Sequence, residues 1–164
     1  AISSKDNKSI KISFDLDING GSTCDFVDDI ANSCGTEESA QTVMTMTLDT
    51  LIDNGIIGCP DFIKMDIQGS ELKVLENSVN VLNTAVLVQV EVEFVELYKG
   101  QPLFADVDSF LRSKGFKFHC FDEGTGGRPF KPLMIDNDPN KKFNQALWAD
   151  AYYVKDWMNI MKNL

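Results

Sequence analysis

Between Ile10 and Ile18 the chain alternates without a break: Ile10, Ile12, Phe14, Leu16 and Ile18 are apolar, and Lys11, Ser13, Asp15 and Asp17 are polar. A period of two puts each set on its own face, so the segment predicts a half-buried strand, ended by Gly20 and Gly21. Over residues 60–75 the pattern changes. Phe62, Ile63, Met65 and Ile67 lie in a short apolar run between Pro60 and Gly69, after which Leu72, Leu75, Val79 and Leu82 recur at helical spacing. That switch predicts a strand, a tight turn and a helix. Lys64 and Asp66 are two apart and project from one face of the strand. Asp66 ends it on the carboxyl side, where open α/β sheets place their ligands.

The remaining elements follow in order. Ser22 or Thr23 is placed to cap a short helix within residues 22–35 carrying Phe26, Val27 and Ile30, and residues 37–41 read as a loop. Residues 43–47 are β-prone. Thr47 then caps a short helix with Asp49 in its first turn and Leu48, Leu51 and Ile52 facing inward, ended by Gly55. Residues 85–94 are apolar on both faces and then alternate, with Val90, Val92 and Phe94 opposite Glu91 and Glu93, which predicts an interior parallel strand. Phe104, Val107, Phe110 and Leu111 form the apolar face of a helix introduced near Pro102 and closed by Gly115. Residues 116–121 form a strand, 122–144 a long loop, and 147–154 a strand. Asp156 caps a last helix bearing Trp157, Ile160, Met161 and Leu164. Strands alternating with helices predict a single α/β domain over residues 1–164, with a largely parallel sheet covered on both faces.

Composition narrows the partners. A chain of 164 residues with 43 % hydrophobic and 24 % charged residues is ordinary for a folded domain, and at this length folding buries roughly 70 % of the unfolded surface. The formal net charge of −10 repels phosphate backbones and anionic lipid, so neither nucleic acid nor a membrane is expected as a partner. With no apolar run long enough for a membrane span and a polar start, AISSKDNKS, a cytoplasmic location is expected. Cys24, Cys34, Cys59 and Cys120 lack C-x-x-C pairing and read as thiols. His119 is the only histidine, so no metal site is expected.

The run IKMDIQGSELKVLEN resembles the central motif of FkbM-type methyltransferases: hydrophobic, Lys, hydrophobic, Asp, hydrophobic, Glu, Gly, small, Glu, then a helix. Gln68 stands where that motif usually has glutamate. The resemblance continues through Thr47-Leu48-Asp49, Val90-Glu91-Val92, Tyr98-Lys99-Gly100-Gln101-Pro102-Leu103-Phe104, Leu111, Gly115-Phe116 and Leu147-Trp148-Ala149-Asp150-Ala151. It implies a Rossmann-like class I methyltransferase sheet, mostly parallel with an antiparallel final strand, and S-adenosylmethionine as cofactor. It also implies an O-methyltransferase acting on a hydroxyl of a small molecule or glycan: a sugar, glycolipid or natural product.

In that family the cofactor site is built mainly from a glycine-rich turn after the first strand, and none is recognisable before Thr47. The chain therefore resembles the C-terminal part of the domain, lacking the first strands, and reads either as a portion of a longer domain or as a shortened relative. Asp122-Glu123-Gly124-Thr125-Gly126-Gly127 has a similar glycine spacing, but Pro129 and Pro132 oppose the helix such a turn must lead into, so it reads as a loop. Without a first strand, residues 62–67 keep an open edge. Coverage by residues 10–18 or by another chain, giving a homo-oligomer, is expected. The alternative function is a non-catalytic binding or assembly module that keeps the fold without the cofactor site. No Gly-x-Ser-x-Gly elbow supports a hydrolase.

Methyl transfer to an oxygen is an in-line displacement, for which a protein supplies position, dryness and sometimes a base. Asp66 is the candidate base or the stabiliser of a positive methyl donor, hence both catalytic and cofactor-binding. Gln68 can orient either partner, and Glu91, at the matching end of the next strand, is the second carboxylate, ahead of Glu71 and Glu93. Each has a structural counterpart. Asp66 could bond the turn at Gly69, Glu91 and Glu93 could be solvated strand ends, and Tyr98 with Gln101 could either line an acceptor pocket or anchor a loop. Lys64 is expected to pair with Asp66, Glu91 or Glu93, or to reach solvent. His119 reads as a hydrogen-bonded structural histidine rather than a base, and Trp148 and Tyr152 read as core rather than as a sugar platform.

Overall fold

A computed structural model describes residues 9–15, 20–22, 39–122, 135–138, 141, 144–156 and 158. In chain order its elements are β1 (Ser9–Asp15), β2 (Gly20–Ser22), β3 (Ser39–Met44), α1 (Leu48–Asp53), β4 (Phe62–Met65), α2 (Glu71–Glu76), α3 (Val79–Thr84), β5 (Leu87–Glu93), α4 (Phe104–Ser113), β6 (Phe116–Phe121) and β7 (Trp148–Lys155). They form two sheets, ordered β2-β1-β3 and β4-β5-β7-β6.

The alternating N-terminal segment is the centre of the first sheet, paired antiparallel with β2 and β3. This corrects two expectations. Both edges of β1 are occupied, so it does not cover β4, which among the described residues is an edge strand of the other sheet. β3 begins at Ser39 rather than Val43, because β1 supplies a partner for Ser39, Ala40 and Gln41, whose own sequence reads as loop. The helix expected within residues 22–35 and the last helix lie largely outside the described residues.

In the four-stranded sheet β4 pairs parallel with β5, and β7 pairs antiparallel with both β5 and β6. The sheet is therefore mixed. Only one pairing is parallel because β7 returns between β5 and β6, but β4, β5 and β6 point the same way and end on one edge.

Register sorts the side chains onto two faces. Ile63 and Met65, Val88, Val90 and Val92, and Ala149, Ala151 and Tyr153 share one face and form the core with Val74, Leu75, Val81, Leu82, Val107 and Leu111 of the helices. The other face carries Phe62 and Lys64, then Gln89, Glu91 and Glu93, then Tyr152 and Trp148. Trp148 and Tyr152 thus lie opposite the core, half-buried, and are not the core residues expected. His119 sits at the register shift of β6, exposed.

The single helix predicted after β4 is two. Ser78 Oγ donates to the Val74 carbonyl at 2.7 Å, and the chain restarts with the Asp49 carboxylate accepting from the backbone N–H groups of Asn80 (3.0 Å) and Val81 (3.1 Å). A carboxylate at a helix N-terminus satisfies donors that lack intrahelical partners. The break turns Val79 out to 40 % exposure while Leu82 stays buried. Thr47 caps α1 as expected, accepting from the Thr50 N–H at 3.1 Å. Cys59 and Cys120 are free and exposed, and among the described residues no helix is long and apolar enough to cross a membrane.

Lys155 ties the C-terminal ends of two helices to β7. Its Nζ donates to the Leu82 carbonyl at 2.8 Å and the Lys114 carbonyl at 3.2 Å, and lies 4.4 Å from the centroid of the Phe116 ring. Burial lowers its proton affinity from the usual lysine value. Lys155→Met, which keeps the stem but leaves both carbonyls without this donor, is expected to destabilise the domain by about 2 kcal/mol in urea unfolding.

Candidate active site

The strand-to-helix turn after β4 is held by one buried side chain. Glu71, the first residue of α2, folds back so that its carboxylate accepts from the backbone N–H of Ile67 at 2.8 Å and of Gly69 at 3.0 Å. Glu71 is 3 % exposed. Burial pushes its proton affinity up, opposed by those same backbone N–H groups. The turn-forming role that Asp66 could have filled therefore belongs to Glu71, and Asp66 is left exposed at the strand end. A glutamate two residues after the turn glycine, at a helix start, was the signal for this role.

With the turn pinned, the backbone at Gln68 is left-handed, at φ 57°, a conformation that costs a residue with a Cβ about 1–2 kcal/mol. The side chain is held in compensation. Its Nε2 donates to Asp66 Oδ1 at 2.7 Å and to Glu91 Oε2 at 2.9 Å, and its Oε1 accepts from the Tyr98 hydroxyl at 2.6 Å. The three residues singled out from the sequence, Asp66, Gln68 and Glu91, thus meet around one amide. Tyr98 joins them from the loop after β5, thirty positions from Gln68.

The wall behind this group is acidic. Burial first, then the charges of Asp66, Glu93 and Glu71, push the Glu91 carboxyl up to about 9. Burial and then the Glu71 charge push Glu93 up to about 7, with Gln101 opposing. Among the described residues the Gln101 amide nitrogen has no hydrogen-bond partner. The expectation that Glu91 and Glu93 are solvated strand ends is thereby corrected: Glu93 is buried and Glu91 is half-buried. Gln101 Oε1 accepts from the backbone N–H groups of Leu97 and Tyr98, both at 2.6 Å, the loop-anchor role. Lys64 is exposed and reaches solvent on its strand face. Residues 123–127 of the glycine-containing loop lie outside the described residues.

The arrangement is a protonated carboxyl beside an exposed carboxylate, bridged by an amide. Such a pair can accept a proton from a hydroxyl or face a cation. Among the described residues neither Asp66 nor Glu91 is ion-paired with lysine or arginine, and no group of three or more histidine, cysteine, aspartate or glutamate side chains is arranged to hold a metal ion.

Fold and site together define an α/β domain whose acidic pair stands where the parallel strands end. The chain belongs to the methyltransferase FkbM domain family, whose model matches residues 4–118. It is also similar to the hexuronic acid methyltransferase AglP of Haloferax volcanii, 34 % identical over 55 residues, which are 34 % of this chain and 23 % of that protein. The match thus spans under a quarter of that relative's length. No solved structure matches the chain.

Because Glu91 and Glu93 bind protons more tightly folded than unfolded, the folded form carries excess protons from about pH 4.5 up to about 7 and 9. Stability therefore falls as pH rises through that window. Glu91→Gln, which imitates the protonated side chain, is expected to remove up to about 1.4 kcal/mol per pH unit of this slope between pH 7 and 9, measured by urea unfolding across the range. An unchanged slope would mean that Glu91 ionises freely in the fold.

Proposed function

We propose that this chain is the acid-bearing part of an S-adenosylmethionine-dependent O-methyltransferase that methylates a sugar hydroxyl, on a Rossmann-like sheet of class I type. The observation that carries this reading is the Asp66–Gln68–Glu91 group at the carboxyl edge of a parallel strand pair, in a chain of the FkbM family. The sugar as acceptor is supported by the name of the relative, a hexuronic acid methyltransferase.

S-adenosylmethionine, when bound, supplies an electrophilic methyl group on a cationic sulfur. The residues present fit one side of such a group, since the exposed Asp66 has no lysine or arginine partner among the described residues and Glu91 beside it adds no positive charge. Asp66 would face it. Asp66 is also the group open to solvent and hence to an incoming acceptor, and we assign it the uptake of the hydroxyl proton. Glu91, retaining its own proton near neutral pH, cannot compete as a base there. Gln68 stabilises the Asp66 charge by donation and holds the pair at fixed separation.

A hydroxyl suits this site better than a sugar carboxylate. The hydroxyl must lose a proton and finds a base, whereas a carboxylate needs none and meets like charge.

In the protein that carries this segment, Asp66→Asn is expected to lower turnover of methyl transfer to a hexuronic-acid-containing glycan by roughly a hundredfold or more, with the melting temperature unchanged. Labelled methyl incorporation gives the readout. Near-normal turnover would remove Asp66 from the chemistry.

A further inference from the structure

We propose that Tyr98 is a positioning residue for the methyl transfer inferred above, pinning Gln68 in the one place from which its amide reaches both Asp66 and Glu91. The proposal rests on that functional reading for its consequence, but its geometry is independent of it.

Gln68 has reasons to leave. Its backbone is left-handed, its side chain is long and half-buried, and both residues to which it donates are acids that water could serve equally well. Its carbonyl oxygen accepts a short hydrogen bond from the Tyr98 hydroxyl at 2.6 Å. That bond also polarises the amide and strengthens the two N–H donations on its far end.

Tyr98 itself is fixed twice. Gln101 holds its backbone N–H at 2.6 Å, and its ring fills the space above Gly69, where an added Cβ would lie 2.9 Å from Cδ2. Gly69, at φ 94°, therefore serves the turn and the ring seat together. Tyr98 is 4 % exposed, so the ring is a rigid support. The order of support runs from Gln101 through Tyr98 to Gln68 and then to the two carboxyls.

Losing the shared donor makes each carboxylate less stable in its charged form, which raises the affinity of the pair for protons. Tyr98→Phe keeps the ring in its seat and removes only the hydroxyl. Carbon-13 titration of the side-chain carboxyls in the chain is expected to show the Asp66–Glu91 pair moving upward by about half a pH unit or more. In the methyltransferase carrying this segment, the acid limb of the kcat/KM profile should move the same way, with kcat reduced roughly tenfold. In a Gln68→Asn background, whose shorter amide tolerates the left-handed backbone but does not span both carboxyls, adding Tyr98→Phe should produce no further shift.

A lower melting temperature with an unmoved titration would make Tyr98 a packing residue only and overturn the proposal. An additive shift in the Gln68→Asn background would also overturn it, because Tyr98 would then act without Gln68. A moved titration in a protein with no methyl transfer would uphold the pinning of Gln68 and discard the functional reading instead.

Discussion

Everything at the candidate site depends on where the Glu71 carboxylate sits. A strand that runs straight into a helix leaves backbone N–H groups at the junction with no partner from either element. Glu71 takes two of them, from Ile67 and Gly69, at 2.8 and 3.0 Å. Burying a carboxylate is costly, and its raised proton affinity records that cost. Against this stand two charge-assisted hydrogen bonds, each worth about 1.5–3 kcal/mol when the alternative is an orphaned donor. The clamp forces the chain to turn within residues 67–69. Asp66 is thereby stopped at the sheet edge, and Gln68 is driven into a left-handed conformation that aims its side chain back across β5.

The second constraint is the two-sidedness of the sheet. The crossovers from β4 to β5 and from β5 to β6 place α2, α3 and α4 against the same face, and the apolar residues of β4, β5 and β7 point there. The opposite face is not bare, since Gln89 and Glu93 of β5 are themselves buried there. It differs in carrying Gln89, Glu91 and Glu93 along one strand, a run of polar groups whose burial is costly without hydrogen-bond partners. The two acids are crowded and buried enough to hold protons, and of the two Glu91 is the one left half-open beside the exposed Asp66.

Much of this was legible in the sequence, and the exceptions share a cause. Strict alternation in β1, the apolar face of α4, the Thr47 cap and the switch near Gly69 are local signals; the last three lie where their patterns place them, and the alternating segment is strand over Ser9–Asp15. The carboxyl-edge position of Asp66 and the matching position of Glu91 were legible too, because strand direction fixes them. The remainder depends on contacts distant in sequence. Ser39–Gln41 become strand only because β1 is there to pair with them. The helical pattern from Leu72 to Leu82 is broken by Ser78 and restarted by a cap from Asp49, thirty-one positions before Asn80. Tyr98 lies in a loop whose residues have no periodicity, and nothing near it in the chain announces that its hydroxyl meets Gln68.

Gln68 is also where the sequence departs from the motif it otherwise resembles, which usually has glutamate. The geometry gives that departure a physical meaning. A glutamate there would bring a further carboxylate among Asp66, Glu71 and Glu91, and at the separations of 2.7 and 2.9 Å now bridged by the amide, carboxylate oxygens could coexist only by sharing protons. The amide replaces that repulsion with two donations and keeps an acceptor for Tyr98. It also leaves the group less negative than the glutamate form would be. A site with glutamate at this position would therefore bind and release protons as a set of one more acid, whereas here a neutral amide donates to both members of a pair in which the Asp66 charge already raises the proton affinity of Glu91.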